Sequence, residues 1–430
     1  MGSRFQSLYF QTLRFFTWIL YSRQASLAIA DQAVISIGSI LLSVVIARMA
    51  GIELLGSVGF ILVLSAFGGA ALASLVSAPA MVLFGSMKND ERRYRGFLFL
   101  ISVLIGVVLA IVLSFIYVIY RQRTGAVVSR DEICMVAFLF AIIPVQDTLR
   151  RAAFARARPW AGLRLSVLRS IPPPIALLCA FSTTHQMTLF DIVLILATAN
   201  LGSVVVELAI DRLRIPDRQF AISTWRRHWH MSRWLLLSSF LNSTYEQIFT
   251  LASGIAFGDR AVAVIRITQQ VFGVVVAGMQ TFENTLPQQL ARAAAEESNS
   301  YASLVRLLAA IVFLGTALCG GLLWWIGNDL IQFIFNFDYQ NYTSLLLCWT
   351  IGIAASGARL VYAMAFRAVH ETKPIFIADS FSFIAGVLLV IPVLYWFGVI
   401  GSGIGMLITN LVGLIVMVLS MQQVAKRSHE

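Results

Sequence analysis

Long apolar runs separated by short polar loops dominate the chain. Each run has the roughly twenty residues that a helix needs to cross a hydrocarbon core about 30 Å thick. A preceding stretch, residues 4–23, mixes aromatic residues with three arginines, which is typical of an amphipathic helix on a membrane surface. The runs predict twelve transmembrane helices, at 27–49, 55–85, 96–120, 133–150, 163–182, 187–210, 234–258, 259–289, 305–327, 343–366, 374–397 and 400–422.

One of these runs, 234–258, is not uniformly apolar, because it carries a row of polar residues. Its members follow one another at spacings of four and three, so they share one face of a helix; they are Ser239, Ser243, Glu246, Thr250 and Ser253. Glu246 would lie roughly 18 Å deep, near the middle of the bilayer, where a carboxylate facing lipid is costly. The row therefore favours the wall of a polar cavity. The alternative is that small polar residues only allow close helix packing.

Composition supports the membrane interpretation. The chain is 59% hydrophobic and 12% charged, which excludes an ordinary soluble domain. Its formal net charge of +11 comes from Lys and Arg concentrated in alternate loops, so it indicates topology rather than nucleic-acid binding. That bias predicts a multi-pass membrane protein with both termini in the cytoplasm, and the resemblance described below implies the bacterial cytoplasmic (inner) membrane. No Cys or His spacing indicates a metal site, and we expect no cofactor.

The chain also repeats itself. Gly51 precedes Pro79 by 28 residues, and Gly258 precedes Pro287 by 29. Similar apolar segments follow in both places, so the pattern favours a duplication with parallel repeats. The predicted organisation is an interfacial segment (1–26), two six-helix bundles (27–215 and 234–422), a cytoplasmic linker (216–233) and a cytoplasmic tail (423–430).

The duplication predicts that the counterparts of the polar row also line a cleft between the bundles. The run 27–49 has a matching row with Asp31 beside it, made of Gln32, Ser36, Ser39 and Ser43. The run 259–289 contributes Arg266, Gln270, Gln280 and Asn284 on one face. The expected architecture is an all-α membrane protein whose two bundles enclose a central polar cleft.

Three arginines inside the runs are candidates for binding an anion, because a guanidinium suits bidentate recognition of phosphate; they are Arg266, Arg359 and Arg169. The alternative is that each pairs with an acid in another run, or, for Arg169, extends to the membrane surface. Glu246 is a candidate for binding and releasing a proton during transport. Pro172, Pro173 and Pro174 must break their helix, as a hinge or as a fixed kink.

No catalytic centre is evident. The chain contains no Gly-Lys pair and therefore no phosphate-binding loop for ATP, and it shows no nucleophile-and-base constellation. We expect a carrier rather than an enzyme, driven by H⁺ or Na⁺ or by neither.

The spans, together with several segments, resemble the polysaccharide transporter (Wzx-type) branch of the MOP flippase superfamily. These segments are ADQAVISIGSILLSVVIARMAG at 30–51, the turn from Glu283 to Pro287 with Arg292 beyond it, and the paired Arg-Ala…Pro loops. The resemblance implies a flippase that moves a polyprenyl-pyrophosphate-linked oligosaccharide to the outer leaflet, for O-antigen or exopolysaccharide synthesis. It implies membrane lipids and other polysaccharide assembly proteins as partners. The alternatives are a cation-coupled multidrug exporter of the same superfamily and, as an enzyme, a polytopic polysaccharide polymerase.

Overall fold

A computed structural model describes residues 23–84, 87, 90–156, 158–184, 187–211, 213–295, 301–369 and 371–427. In this part of the chain the regular structure is helical and no strand occurs, which confirms the predicted all-α class. The amphipathic segment predicted over 4–23 lies outside the described residues, apart from Arg23. For 280–289 the backbone is described but the side chains are not, so Gln280 and Asn284 remain predictions.

The first half of the chain forms helices that match the first six predicted spans. Two spans are interrupted: the second by a π-helical turn at Ala73–Ser77, and the fifth at Ile171. The helices are α1 (Arg23–Met49), α2 (Ile52–Leu72), α3 (Ala78–Leu83), α4 (Glu91–Arg123), α5 (Arg130–Ala155), α6 (Pro159–Ser170), α7 (Pro172–Thr184) and α8 (Leu189–Ile210).

The second half forms six long helices that match the other six predicted spans. These are α9 (Arg218–Phe257), α10 (Asp259–Ala295), α11 (Tyr301–Phe335), α12 (Thr343–Ala368), α13 (Lys373–Phe397) and α14 (Ile400–Arg427). Most of the stretch predicted as a linker, 216–233, is helical, because α9 already begins at Arg218. Aromatic residues such as Trp225 and Phe220 pack against the first half, which explains why this charged stretch is helical.

Ten stretches among the described residues are long and apolar enough to cross a membrane, so the chain is a multi-pass membrane protein. The other two predicted spans lie in α9 and α10 and are not among these ten. These are the helices that carry the polar rows in the second half.

The junction between α1 and α2 has the same backbone geometry as the junction between α9 and α10. Gly51 has φ 93° and Gly258 has φ 78°, in the left-handed region that glycine adopts without strain. Each glycine ends the first helix of its half and lets the chain reverse within one or two residues. The shared geometry is what the proposed duplication requires.

The two halves share part of their hydrophobic core. One cluster contains Phe60 and Tyr120 from the first half together with Val262 and Ile265 from α10. A separate cluster around Phe366 and Met417 lies within the second half. The shared cluster lies where α9 and α10 meet, which we call the Asp259 end. The opposite end, where α9 begins, we call the His228 end.

Candidate functional site between the halves

At the Asp259 end, the two halves are joined through a carboxylate on the first residue of α10. Asp259 Oδ2 accepts hydrogen bonds from Ser57 Oγ at 2.7 Å and from Arg121 Nη1 at 3.2 Å, and Oδ1 accepts one from the Tyr120 hydroxyl. The Asp259 side chain is only 18% exposed. We call these four residues the Asp259 latch.

Close backbone packing accompanies the latch. A Cβ atom at Gly56 would lie 1.8 Å from the Asp259 carbonyl oxygen, so only glycine fits there. The Phe60 and Tyr120 rings stack with their centroids 3.5 Å apart. Arg48 adds a second link, because its Nε donates to the Ile334 carbonyl oxygen at 2.7 Å. This end of the interface is therefore closed and specific.

Further from this end, α1 and α10 meet through residues of the polar rows predicted on these two helices. Gln270 Nε2 donates to Ser39 Oγ at 2.9 Å and to Ser43 Oγ at 3.2 Å. Gln270 and Ser43 are buried and Ser39 is half-buried. The structure thus brings together three residues from the two predicted rows, and we call this contact the seam.

Beyond Gln270, α10 has residues with open space beside them. Gly273 and Val274 lie three and four residues further along, and Val274 is 71% exposed. A Cβ atom at Gly273 or Gly278 would meet no atom of the described residues within 4 Å. On α1, Gln32 and Ser36 are half-buried. From this exposure we infer that the two helices separate toward the His228 end, and we call the space between them the gap.

The other pair of helices stays in contact at the His228 end. Ser239 Oγ on α9 donates to the Ala70 carbonyl oxygen of α2 at 3.2 Å, and Ser232 Oγ donates to the Leu75 carbonyl oxygen at 3.0 Å. The gap consequently opens on one side only, between α1 and α10.

Arg266 lies one turn before Gln270, between the seam and the Asp259 latch. Its aliphatic part packs on Gly59, where an added Cβ atom would lie 3.8 Å from Arg266 Cβ. Its Nη1 reaches Gln269 Oε1 on the same helix at 3.4 Å, and its buried Nε has no hydrogen-bond acceptor among the described residues. No ion pair joins Arg266 to a carboxylate in the described part of the chain. A guanidinium left uncompensated at this depth is costly unless an anion or water completes it.

Arg359 has the opposite environment, inside the second half. It is buried and donates to the Asp379 carboxylate and to Ser382 Oγ at 3.1 Å. It also lies over the Tyr245 ring, 4.9 Å from the ring centroid. Of the two interpretations of Arg359, pairing with an acid in another helix is the arrangement that the structure has.

Asp31 belongs to an ion network inside the first half rather than to the gap. It is buried, and its Oδ atoms accept hydrogen bonds from Arg150 Nη1 at 2.6 Å and from Ser166 Oγ at 2.5 Å. Asp147 accepts from Arg150 Nη2 at 2.8 Å and from Arg151 Nε at 2.6 Å. The arginines hold both carboxylates, so neither is an open ligand for a cation.

Arg169 borders the same network. Its Nη1 donates to a neutral acceptor, Gln146 Oε1, at 3.0 Å, and Gln146 Nε2 donates to the Leu165 carbonyl oxygen at 3.2 Å. No ion pair within 4 Å joins Arg169 to a carboxylate among the described residues. With three arginines for two carboxylates, this interior has a net positive charge.

Glu246 is exposed, and its Oε1 accepts a hydrogen bond from Asn242 Nδ2 at 3.0 Å. Ser243 and Thr250, on the same face of α9, are buried. The exposed apolar residues Phe240 and Ile255 lie on a different face. The exposed residues Leu235 and Phe257 share the face of Glu246, so its orientation toward the space between the halves stays a prediction.

The three consecutive prolines occupy the first turn of α7, directly after the break at Ile171. Missing amide donors cost nothing in a first turn, so the break lies before the prolines rather than inside a continuous helix. The structure gives one geometry for this break, and its role as a hinge stays a prediction.

Sequence reasoning did not identify the latch. Asp259, Tyr120, Arg121 and Ser57 lie up to 202 residues apart along the chain, and no local pattern marks them as partners. Arg48 lies near the end of the run 27–49, a position typical of an interfacial side chain; it is exposed, and it also joins the two halves.

His228 corrects another expectation, since its position in a basic stretch indicated an interfacial side chain. It is buried instead, with Nε2 2.8 Å from the Tyr94 hydroxyl and Nδ1 3.4 Å from the Leu75 carbonyl oxygen. It lies in the part of α9 that precedes the predicted span, and burial lowers its pKa to about 4. The imidazole is therefore neutral near pH 7.

The two helical halves are thus joined by the latch at one end and by the seam further along. No protein-family model and no curated protein matches the chain. Among solved structures, the chain has the fold of the transporters of the MOP superfamily.

Three of these structures illustrate the similarity. An inward-facing MATE-family multidrug resistance transporter aligns with a TM-score of 0.71 and 14% identity, over 95% of this chain and 96% of the other. The lipid II flippase MurJ aligns with a TM-score of 0.66 and 16% identity, over 92% and 87%. A MOP transporter from Pyrococcus furiosus, described as having a binding pocket of reverse polarity, aligns with a TM-score of 0.60 and 14% identity, over 93% and 96%. These neighbours are transporters and flippases, and identities this low establish the fold alone.

Proposed function

We propose that the chain is a flippase that moves a polyprenyl-pyrophosphate-linked oligosaccharide across the bacterial cytoplasmic membrane by alternating access. The observation that carries the proposal is Arg266, a guanidinium beside the seam without a carboxylate partner among the described residues. A pyrophosphate supplies the anionic oxygens that such a group binds best. The sugars would occupy the gap, and the lipid tail would stay in the bilayer.

The charge of the first half supports an anionic rather than a cationic substrate. Asp31 and Asp147 are hydrogen-bonded by arginines, and Arg169 adds a further positive charge nearby. A cation exporter needs carboxylates that are open to its substrate. The residues proposed to meet the sugars are the hydroxyl and amide side chains of the rows on α1, α9 and α10.

The His228 end is proposed to face the cytoplasm, because the Lys- and Arg-rich loops lie there. The gap then opens to the cytoplasm while the Asp259 latch closes the outer end. With the cytoplasm negative, outward movement of each negative charge is favoured by about 2.3 kcal/mol per 100 mV. Arg266 would lower the barrier, and Glu246 is the proposed proton carrier if transport is coupled to H⁺.

A multidrug exporter is the second candidate, and the fold similarity to MATE-family proteins is the observation in its favour. In that function, the Asp31 carboxylate would have to leave Arg150 to bind a cation or a proton. This rearrangement is a specific requirement that the flippase function lacks.

The decisive experiment reconstitutes the purified chain in vesicles that contain a fluorescent polyprenyl-pyrophosphate oligosaccharide. A membrane-impermeant quencher reports which leaflet holds the lipid, and parallel vesicles report uptake of a cationic dye. We expect accelerated equilibration of the lipid and no dye transport. Dye transport without lipid movement would identify an exporter, and elongation of the glycan would identify a polymerase.

The polysaccharide itself is tested in cells. Loss of O-antigen or exopolysaccharide in a deletion strain, with lipid-linked repeat units retained in the inner leaflet, supports the proposed pathway. Unchanged surface polysaccharide would contradict it.

A further inference from the structure

A second charged cavity lies outside the gap, at the His228 end of the first half. Its volume is about 340 Å³, within the range of small-molecule sites. The cavity is formed where α4 begins, where α8 ends and where the linker to α9 crosses them. Its lining is Glu91, Arg92, Arg95, Arg158, Ile210 and Asp211.

The cavity has an excess of positive charge. Asp211 is shared by Arg95, by Arg156 at 2.5 Å and by Arg158 at 3.7 Å. Burial raises the pKa of Asp211, but the hydrogen bonds from Arg156 and Arg95 lower it below its usual range, so the carboxylate is ionised at neutral pH. The lining itself has three arginines, Arg92, Arg95 and Arg158, against two acids, and Arg156 beside it also pairs with Glu91 at 3.0 Å.

One of the lining arginines is incompletely satisfied. The Arg95 side chain is only 8% exposed, and its buried Nε has no hydrogen-bond acceptor among the described residues. Glu91 Oε1 lies 3.8 Å from Arg95 Nε, beyond hydrogen-bond distance. Arg92 and Arg158 are exposed at the mouth of the cavity. An anion in the cavity would be met by the buried Arg95 side chain and by the two exposed guanidinium groups of Arg92 and Arg158.

The position of the cavity identifies the source of the anion. Ile210 is the last residue of one candidate span and Glu91 is the first of another, so the cavity lies at the membrane boundary. The neighbouring Trp160 is 57% exposed, as expected of an interfacial tryptophan. The exposed apolar residues Val103 and Val107 lie on the Arg92 face of α4, where acyl chains would run.

We propose that this cavity binds the phosphodiester headgroup of an anionic membrane phospholipid. Since α4, α8 and the linker meet at the cavity, a bound lipid would hold them together. The linker is already joined to α4, because the Arg214 amide donates to the Arg92 carbonyl oxygen at 3.2 Å. A Cβ atom at Gly96 would lie 2.0 Å from the Arg214 carbonyl oxygen, so the linker packs directly on α4. The site is separate from the seam and does not depend on what the gap transports.

The test is a titration of the full-length protein in detergent with phosphatidylglycerol, followed by native mass spectrometry and thermal unfolding. The double variant Arg92→Gln/Arg158→Gln changes only rim residues, and we expect about thirtyfold weaker binding of the tightest lipid. The matched control is Arg226→Gln/Arg227→Gln, which removes two exposed arginines from α9 at the same end. This control should bind as the unchanged protein does.

Three results would overturn the proposal. Equal binding of phosphatidylcholine and phosphatidylglycerol would show that the headgroup charge is not recognised. Equal weakening in both double variants would show that the cavity has no special role. Stabilisation by inorganic phosphate that matches the stabilisation by phosphatidylglycerol would identify a soluble anion as the ligand.

Discussion

Arg266 and Arg359 are the same residue type in similar apolar surroundings, but the structure gives them different environments. Arg359 is surrounded by an acid, a hydroxyl and an aromatic ring within the second half. Arg266 lies between the halves with a single long contact to an amide on its own helix. The comparison shows that an arginine inside a span is not by itself a sign of ligand binding. What distinguishes a candidate site is the absence of an internal partner.

The comparison predicts that Arg359→Gln damages the fold. Removing one member of a buried ion pair leaves the Asp379 charge uncompensated, a loss of about 3–5 kcal/mol. We expect little folded protein and a strongly reduced unfolding temperature in detergent. The control is Arg306→Gln, at an exposed position on α11, which should unfold as the unchanged protein does. A stable Arg359→Gln protein that has lost transport would instead restore Arg359 as an anion ligand.

The latch predicts a smaller effect, confined to the Asp259 end. Asp259→Asn removes the charge that accepts three hydrogen bonds, and each bond to a charged group contributes about 1.5–3 kcal/mol. We expect this end to open more often.

A cysteine at Ser43 reports this opening, because Ser43 is buried behind the latch. In a background without the four native cysteines, the reporter should react faster with a charged thiol reagent when Asp259 is Asn. Glu53→Gln, at an exposed position of the same end, is the control. Equal reaction rates in the Asp259 variant and the control would show that the latch does not keep this end closed.

The buried imidazole at the other end predicts a dependence of stability on pH. The unfolded chain takes up a proton at the ordinary histidine pKa of about 6.5, whereas burial lowers the pKa of folded His228 to about 4. Stability should therefore be full above about pH 6.5 and fall as the pH decreases toward 4. The loss at pH 5 is at most about 2 kcal/mol.

The measurement is the unfolding temperature between pH 7 and pH 5 for the unchanged protein and for His228→Gln. The variant should lose less stability over this range than the unchanged protein. The same slope in both proteins would mean that other groups cause the dependence.

The sequence was sufficient for the parts of the fold that depend on local pattern. Apolar runs predicted the helices, and Gly51 and Gly258 marked equivalent junctions, because chain reversal within one or two residues requires a left-handed conformation. The start of α9 was predicted too late in the chain. His228 and Trp225 lie in a basic, aromatic stretch of the sequence, which indicated a loop, but both side chains pack against the first half in the structure.

The site was predicted less completely. Helical periodicity selected Ser39, Ser43 and Gln270, which do meet, because one face of each helix must point toward the partner half. Periodicity could not distinguish Arg266 from Arg359, since pairing with Asp379 depends on how α12 and α13 pack. The latch residues depend on contacts between distant segments, and a single sequence carries no signal for them.

The most direct test of the central claim is the transbilayer movement of a polyprenyl-pyrophosphate oligosaccharide by the Arg266→Gln protein in vesicles. With folding intact, we expect the rate of transbilayer movement to fall by about tenfold in Arg266→Gln and to stay unchanged in Arg306→Gln. A wild-type rate in folded Arg266→Gln protein would show that the unpaired guanidinium does not bind the substrate, and would contradict the account.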